Sequence, residues 1–103
     1  MKWRPVIIGL ALALVASAGQ AAEVKIDNFT FTPPVLTVHV GEKVEWENRD
    51  DIPHTVTEAN RGEFISEALD TGDKFTFTFT KAGEFSYFCS LHPHMQGKVI
   101  VVE

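Results

Sequence analysis

The chain carries one cysteine in 103 residues, so no disulfide can form within it. Basic residues are also scarce, nine Lys and Arg against 14 Asp and Glu. The net charge of −5 excludes a nucleic-acid binder with a broad basic face. No apolar run reaches the roughly 20 residues that a membrane-spanning helix needs. No segment repeats, and no low-complexity linker divides the chain. Beyond Ala22 nothing shows the 3.6-residue period of a long helix. What is present, 45% hydrophobic and 11% aromatic residues, describes a single globular domain.

The first 22 residues stand apart. Lys2 and Arg4 precede an apolar run from Val6 to Ala18, and small residues follow. Peptidase sites are available after Ala18, Ala21 or Ala22. This layout predicts a secretory signal peptide over 1–22 and a domain over 23–103. No Cys follows the apolar run, which excludes a bacterial lipoprotein. Cleavage after Ala22 would leave 81 residues and, with two positive charges lost, a net charge of −7. The expected location is a bacterial periplasm. A chain this short is near the lower limit for a self-sufficient core, and exported domains of this size often add a disulfide or a metal. With the disulfide ruled out, a metal gains weight.

The rest of the chain reads as strands. Phe75, Phe77 and Phe79 alternate with Thr76 and Thr78, a period of two. Leu36–Val40, Val44–Asn48 and Phe85–Cys89 alternate in the same way, and Val24 with Ile26 begins a shorter strand. Lys98 to Val102 is apolar on both faces and reads as a buried terminal strand. Pro33-Pro34, Gly41-Glu42, Arg61-Gly62, Thr71-Gly72-Asp73 and Ala82-Gly83 supply the turns. The pattern predicts an all-β sandwich of seven to eight strands. Glu63–Leu69 fits a strand, a helical turn or a loop equally well. Trp46 and the three alternating phenylalanines are assigned to the core. Phe88 points away from it if Cys89 points in. His39 is assigned to the solvated surface, as is the acidic run from Glu42 to Asp51.

The chemistry concentrates in Cys89-Ser90-Leu91-His92-Pro93-His94-Met95, expected as a loop between two strands. It offers a thiolate, an imidazole and a thioether at intervals of three residues. A second imidazole, His54, follows the strand carrying Trp46, so the two segments can meet at one end of the sandwich. Two His, one Cys and a weak axial Met compose the trigonal copper site of electron-transfer proteins. Soft sulfur suits Cu(I), and imidazole suits both oxidation states. A rigid β-scaffold keeps the geometry nearly unchanged when an electron arrives, which lowers the barrier. Three other readings compete. A buried inert Cys is common, but it leaves the His and Met spacing unexplained. Structural zinc would make poor use of Met. A Cys–His nucleophile would need an oxyanion hole and a substrate cleft, which no motif signals. Trp46 and Tyr87-x-Cys89 also mimic an immunoglobulin domain, but the partner Cys is missing.

These residues resemble a known family, the cupredoxins or type 1 blue copper proteins, and within it the amicyanins. The resemblance runs from Val35–Gly41 through Trp46-Glu47-Asn48-Arg49, Pro53-His54 and Ala82–Cys89 to Gly97-Lys98-Val99. Amicyanins share the short Cys-x-x-His-x-x-Met spacing. The resemblance implies a Greek-key sandwich, one copper held by His54, Cys89, His92 and Met95, and one-electron transfer. It places Asn48, Thr55 and Ser90 around the ligands. Ile52, Pro53, Leu91, Pro93 and His94 would form the patch where partners dock, such as a c-type cytochrome or a periplasmic dehydrogenase or oxidase. His94 is read first as a solvated residue and second as a partner contact. Many cupredoxins have Asn after the first His ligand, whose side chain braces the ligand loop; this chain has Thr55, which leaves its backbone N–H to donate to the Cys89 sulfur. The expected function is a soluble, monomeric electron shuttle and not an enzyme, with a copper carrier or buffer as the alternative.

Overall fold

The computed structural model describes residues 21–103, so the expected signal sequence lies almost wholly outside the described residues. Eight strands form two four-stranded sheets, as the alternation predicts. They are β1 (Ala22–Asp27), β2 (Thr30–Thr32), β3 (Val35–His39), β4 (Lys43–Asn48), β5 (Thr57–Glu58), β6 (Lys74–Thr78), β7 (Gly83–Cys89) and β8 (His92–Val102). One sheet has the order β2-β1-β4-β6, the other β3-β8-β7-β5. β1 runs parallel to β4 and β3 parallel to β8, while the remaining neighbours are antiparallel. The chain therefore crosses between sheets repeatedly, and the two inner faces enclose the core. Among the described residues there is no helix.

Each strand delivers alternate residues inward. β4 buries Val44, Trp46 and Asn48 while Glu45 and Glu47 stay half-buried. Trp46 lies at the centre, its ring 5.5 Å from that of Tyr87 and 5.6 Å from those of Phe64 and Phe75. Phe79 is buried, and Phe75 and Phe77 pack against the core from its margin. His39 is exposed, as expected.

The structure corrects three expectations and decides a point left open. The ligand segment is a tight hairpin and not a loop. Cys89 pairs with His92 across Ser90-Leu91, so His92 to Met95 already belong to β8. Pro93 is tolerated there because β3 pairs with β8 only from Lys98 onward, leaving one edge open. Second, Lys98–Val102 is not buried on both faces. Val99 and Val101 are buried, Ile100 is half-buried and Val102 is exposed, because no helix covers the outer face. Third, of the strand, helical turn and loop that Glu63–Leu69 fits, the structure has the loop, an irregular crossing pinned by single bridges from Thr57 to Ile65 and from His54 to Leu69. Phe64 and Leu69 drop from it into the core. Fourth, the acidic run is not simply a solvated face. Glu47 pairs with Lys25 at 2.8 Å and with Arg49 at 3.3 Å, and Asp50 turns inward.

Candidate metal centre

At one end of the sandwich the β4–β5 connection meets the β7–β8 hairpin. Asn48 is the last inward residue of β4 and is fully buried. Its amide donates to the carbonyls of Ile52 (2.9 Å) and Leu69 (2.8 Å), and its oxygen accepts the Asp50 N–H (2.9 Å). These bonds shape the turn that carries His54. Reciprocal backbone bonds between His54 and Leu69, 3.1 and 2.7 Å, then fix the backbone of His54 itself. Its side chain is fully buried.

Asp50, which sequence reasoning placed on the surface, organises the other side of that ring. Its carboxylate accepts from His54 Nε2 at 2.7 Å. It also accepts the N–H groups of Asn28 (2.6 Å) and Phe29 (2.9 Å) in the β1–β2 turn. Burial pushes this carboxyl up. The Phe29 N–H, the His54 ring and the Asn28 N–H outweigh that effect and hold it below its ordinary value. With its proton on Nε2, His54 turns the Nδ1 lone pair toward Cys89. The only sequence signal for this role was an acid four residues before the histidine.

Cys89 ends β7, pointing inward and fully buried. Its Sγ lies 3.7 Å from His54 Nδ1 and 3.6 Å from His92 Nδ1. The donor atoms of His54, Cys89 and His92 all lie within 4.8 Å of one another. Metal bonds of about 2.0–2.3 Å at trigonal angles produce donor–donor edges of roughly 3.5–3.8 Å. The three residues therefore fit one type 1 copper in both donor chemistry and spacing. Met95 is buried three residues further along β8 from His92. His92 is half-buried.

Thr55 stitches the two segments together. Its N–H donates to Cys89 Sγ at 3.3 Å. Its hydroxyl accepts the Ser90 N–H at 2.8 Å and lies 2.9 Å from the Ser90 hydroxyl. A threonine thus braces the hairpin that carries Cys89 and His92. Leu91, Pro93 and His94 are exposed beside the hairpin and, with Phe29, His92 and Met95, line a cleft of about 480 Å³. Ile52 is half-buried and Pro53 exposed on the neighbouring turn, outside that lining.

A family model, the cupredoxin-like domain, matches residues 5–101. The chain belongs to the cupredoxin-like family. This cupredoxin is 36% identical over 89 residues to amicyanin from Paracoccus versutus, an alignment covering 79% of this chain and 64% of the relative. The chain thus spans less than two thirds of that relative's length. An oxidized amicyanin mutant of known structure superposes with a TM-score of 0.75 at 36% identity, covering 79% of this chain and 81% of that one. A Cu-containing nitrite reductase from Thermus scotoductus superposes with a TM-score of 0.77 at 31% identity, covering 82% of this cupredoxin but 23% of the reductase.

Proposed function

We propose that this cupredoxin is a soluble periplasmic electron carrier that cycles one type 1 copper between Cu(II) and Cu(I), with His54, Cys89, His92 and Met95 as its ligands. The observation that carries the reading is the Cys89 sulfur set between two imidazole Nδ1 atoms at 3.6 and 3.7 Å. When bound, the copper supplies the one-electron couple and the protein supplies everything else. Asp50 fixes the His54 tautomer. Thr55 donates to the sulfur and locks the hairpin. Burial of His54 and Cys89 keeps water from adding to the donor set, so oxidation state changes with little rearrangement. His92, half-buried on the hairpin, is the exit for the electron.

Partners would dock over Leu91, Pro93 and His94, with Ile52 and Pro53 on the adjoining turn. A small patch suits a partner that must leave quickly. A c-type cytochrome or a periplasmic dehydrogenase or oxidase fits this role, and the carrier itself works as a monomer. A signal peptide cut after Ala21 would leave β1 whole, since Ala22 pairs with Val44. The carrier reading differs from an enzyme in needing no substrate pocket at the metal. It differs from a copper buffer in needing slow metal release, which buried ligands favour.

Addition of Cu(II) to the purified protein is the test. An intense thiolate-to-copper absorption in the visible is expected, together with its loss in Cys89→Ser. A colourless copper complex would end this reading. Copper that passes to an acceptor protein faster than electrons pass to a cytochrome would favour the buffer.

A further inference from the structure

The β1–β2 hairpin turns through only two residues, Asn28 and Phe29, between the paired Asp27 and Thr30. Both have positive φ, 55° and 57°. Turns of this kind favour Asn-Gly, because glycine alone enters the left-handed region without a Cβ penalty. Here the glycine position holds a phenylalanine whose ring is half exposed. A strained, exposed aromatic offers nothing to the core, so its location matters. The ring stands edge-on to both candidate ligands, 5.4 Å from the His54 ring and 5.0 Å from the His92 ring. Asp50 holds it there: one carboxylate accepts both turn N–H groups and the His54 Nε2. On its other side Phe29 walls the cleft that reaches His92 and Met95.

Resting on the copper reading above, we infer that Phe29 is the cover of the metal site, excluding small external ligands such as anions and free imidazole from the copper. The strained turn is retained because the cover must lie over both imidazoles. Asp50 ties the cover and the buried ligand together, so neither shifts without the other. Leu91 and Pro93 also line the cleft, but it is the Phe29 ring that meets both the His92 and the His54 rings.

Azide and imidazole are the probes, titrated against the full Cu(II)-loaded protein and followed by visible absorption and electron spin resonance. Phe29→Gly removes the cover and suits the turn; Phe29→Leu keeps an apolar cap. Without added ligand, Phe29→Gly is expected to show the parent's thiolate-to-copper band, because the donor set is untouched. On titration it should bind azide at least tenfold more tightly than the parent, with Phe29→Leu close to the parent. Equal titration of parent and Phe29→Gly, whether both bind or neither does, overturns the inference. So does an altered band in ligand-free Phe29→Gly, which would make Phe29 a residue that positions the ligands. If the glycine variant does not fold, Phe29→Ala carries the same comparison. Absence of the band from the parent itself would instead sink the copper reading.

Discussion

At the scale of single residues, two positions bear on the stability of the site. The Thr55 hydroxyl accepts the Ser90 N–H at 2.8 Å, and Thr55→Val would keep the volume while stranding that donor. Because Ser90 is exposed, water can reach that donor, and the lost bond costs about 0.5–1.5 kcal/mol. The apoprotein's thermal midpoint should fall accordingly, and Thr55→Ser should restore most of it. Because the bond to Cys89 comes from the backbone N–H, the thiolate-to-copper band should survive in Thr55→Val. Gly97 raises a different issue. A Cβ there would come within 2.5 Å of the Tyr87 ring and hydroxyl. Tyr87 is buried, which pushes its phenol up to about 12, and its ring contacts Trp46 and Phe31, so it has little room to retreat. Gly97→Ala should cost about 1–3 kcal/mol by overpacking, read as a lower denaturant midpoint at unchanged slope. The sequence marks Thr55 but not the role of its hydroxyl, and it does not mark Gly97 at all. Thr55 is a departure from the family pattern whose compensation appears only when Ser90 is brought beside it. Gly97 looks like an ordinary strand glycine until β7 lays Tyr87 across it.

At the scale of elements, the long strands were legible because their side chains alternate and one face is buried. The phenylalanine stripe of β6 and Val44, Trp46 and Asn48 of β4 behave as that pattern demands. β2 and β5 were not legible, since three and two residues are too few to show a period. The hairpin carrying His92 was mistaken for a loop because its sequence is dominated by ligand chemistry and Pro93, not by alternation. The candidate copper donors were legible from residue type, spacing and the resemblance to cupredoxins, and the hairpin brings Cys89 and His92 together. Asp50 was missed because its value comes from partners 21, 22 and 4 residues away. Glu58, at the end of β5, is a second such carboxylate. It accepts the N–H groups of Asn60 (3.1 Å), Arg61 (2.8 Å) and Glu63 (3.1 Å), capping the turn that leads into the crossing. Burial pushes Glu58 up, but the N–H groups of Glu63, Arg61, Asn60 and Gly62 outweigh it and leave it below its ordinary value. The folded state therefore binds a proton less readily than the unfolded state. Glu58 stabilises fully above the unfolded carboxylate range, near pH 4.5, and that contribution is lost as pH falls through the lower folded value. Acid unfolding of the apoprotein should show it. Glu58→Gln should lower stability at pH 7 by about 1–3 kcal/mol and flatten the loss between pH 5 and 3. An acid limb as steep as the parent's would rule Glu58 out as its source.

At the scale of the whole molecule, the question is how a net charge of −5 is distributed around the end that carries the candidate metal centre. Much of the acid on the β1–β4–β6 face is neutralised in place. Lys25 bridges Glu23 and Glu47, Arg49 also reaches Glu47, and Lys74 pairs with Glu45. Exposed pairs of this kind add little stability, but they remove charge from the flat of the sandwich. Asp51, Glu67 and Asp70 are different. All three are exposed; Asp51 lies three residues before His54, and Glu67 and Asp70 lie on either side of Leu69, which bridges to His54. Their field extends about one Debye length, roughly 8 Å at physiological salt, so it acts on a partner only during final approach. Such a field raises the encounter rate of a basic partner more than it tightens the complex. With a cationic c-type cytochrome as acceptor, the second-order rate of electron transfer should therefore fall steadily as ionic strength rises. Asp51→Asn, Glu67→Gln and Asp70→Asn combined should lower the low-salt rate and shrink its salt dependence, while leaving the copper absorption unchanged. The comparison separates steering from chemistry: if Leu91 and Pro93 form the docking patch, their apolar contacts would not respond to salt, and their share of docking would persist at high ionic strength. If the triple variant kept the parent's salt dependence, the acids beside His54 would not be what guides the partner to the hairpin.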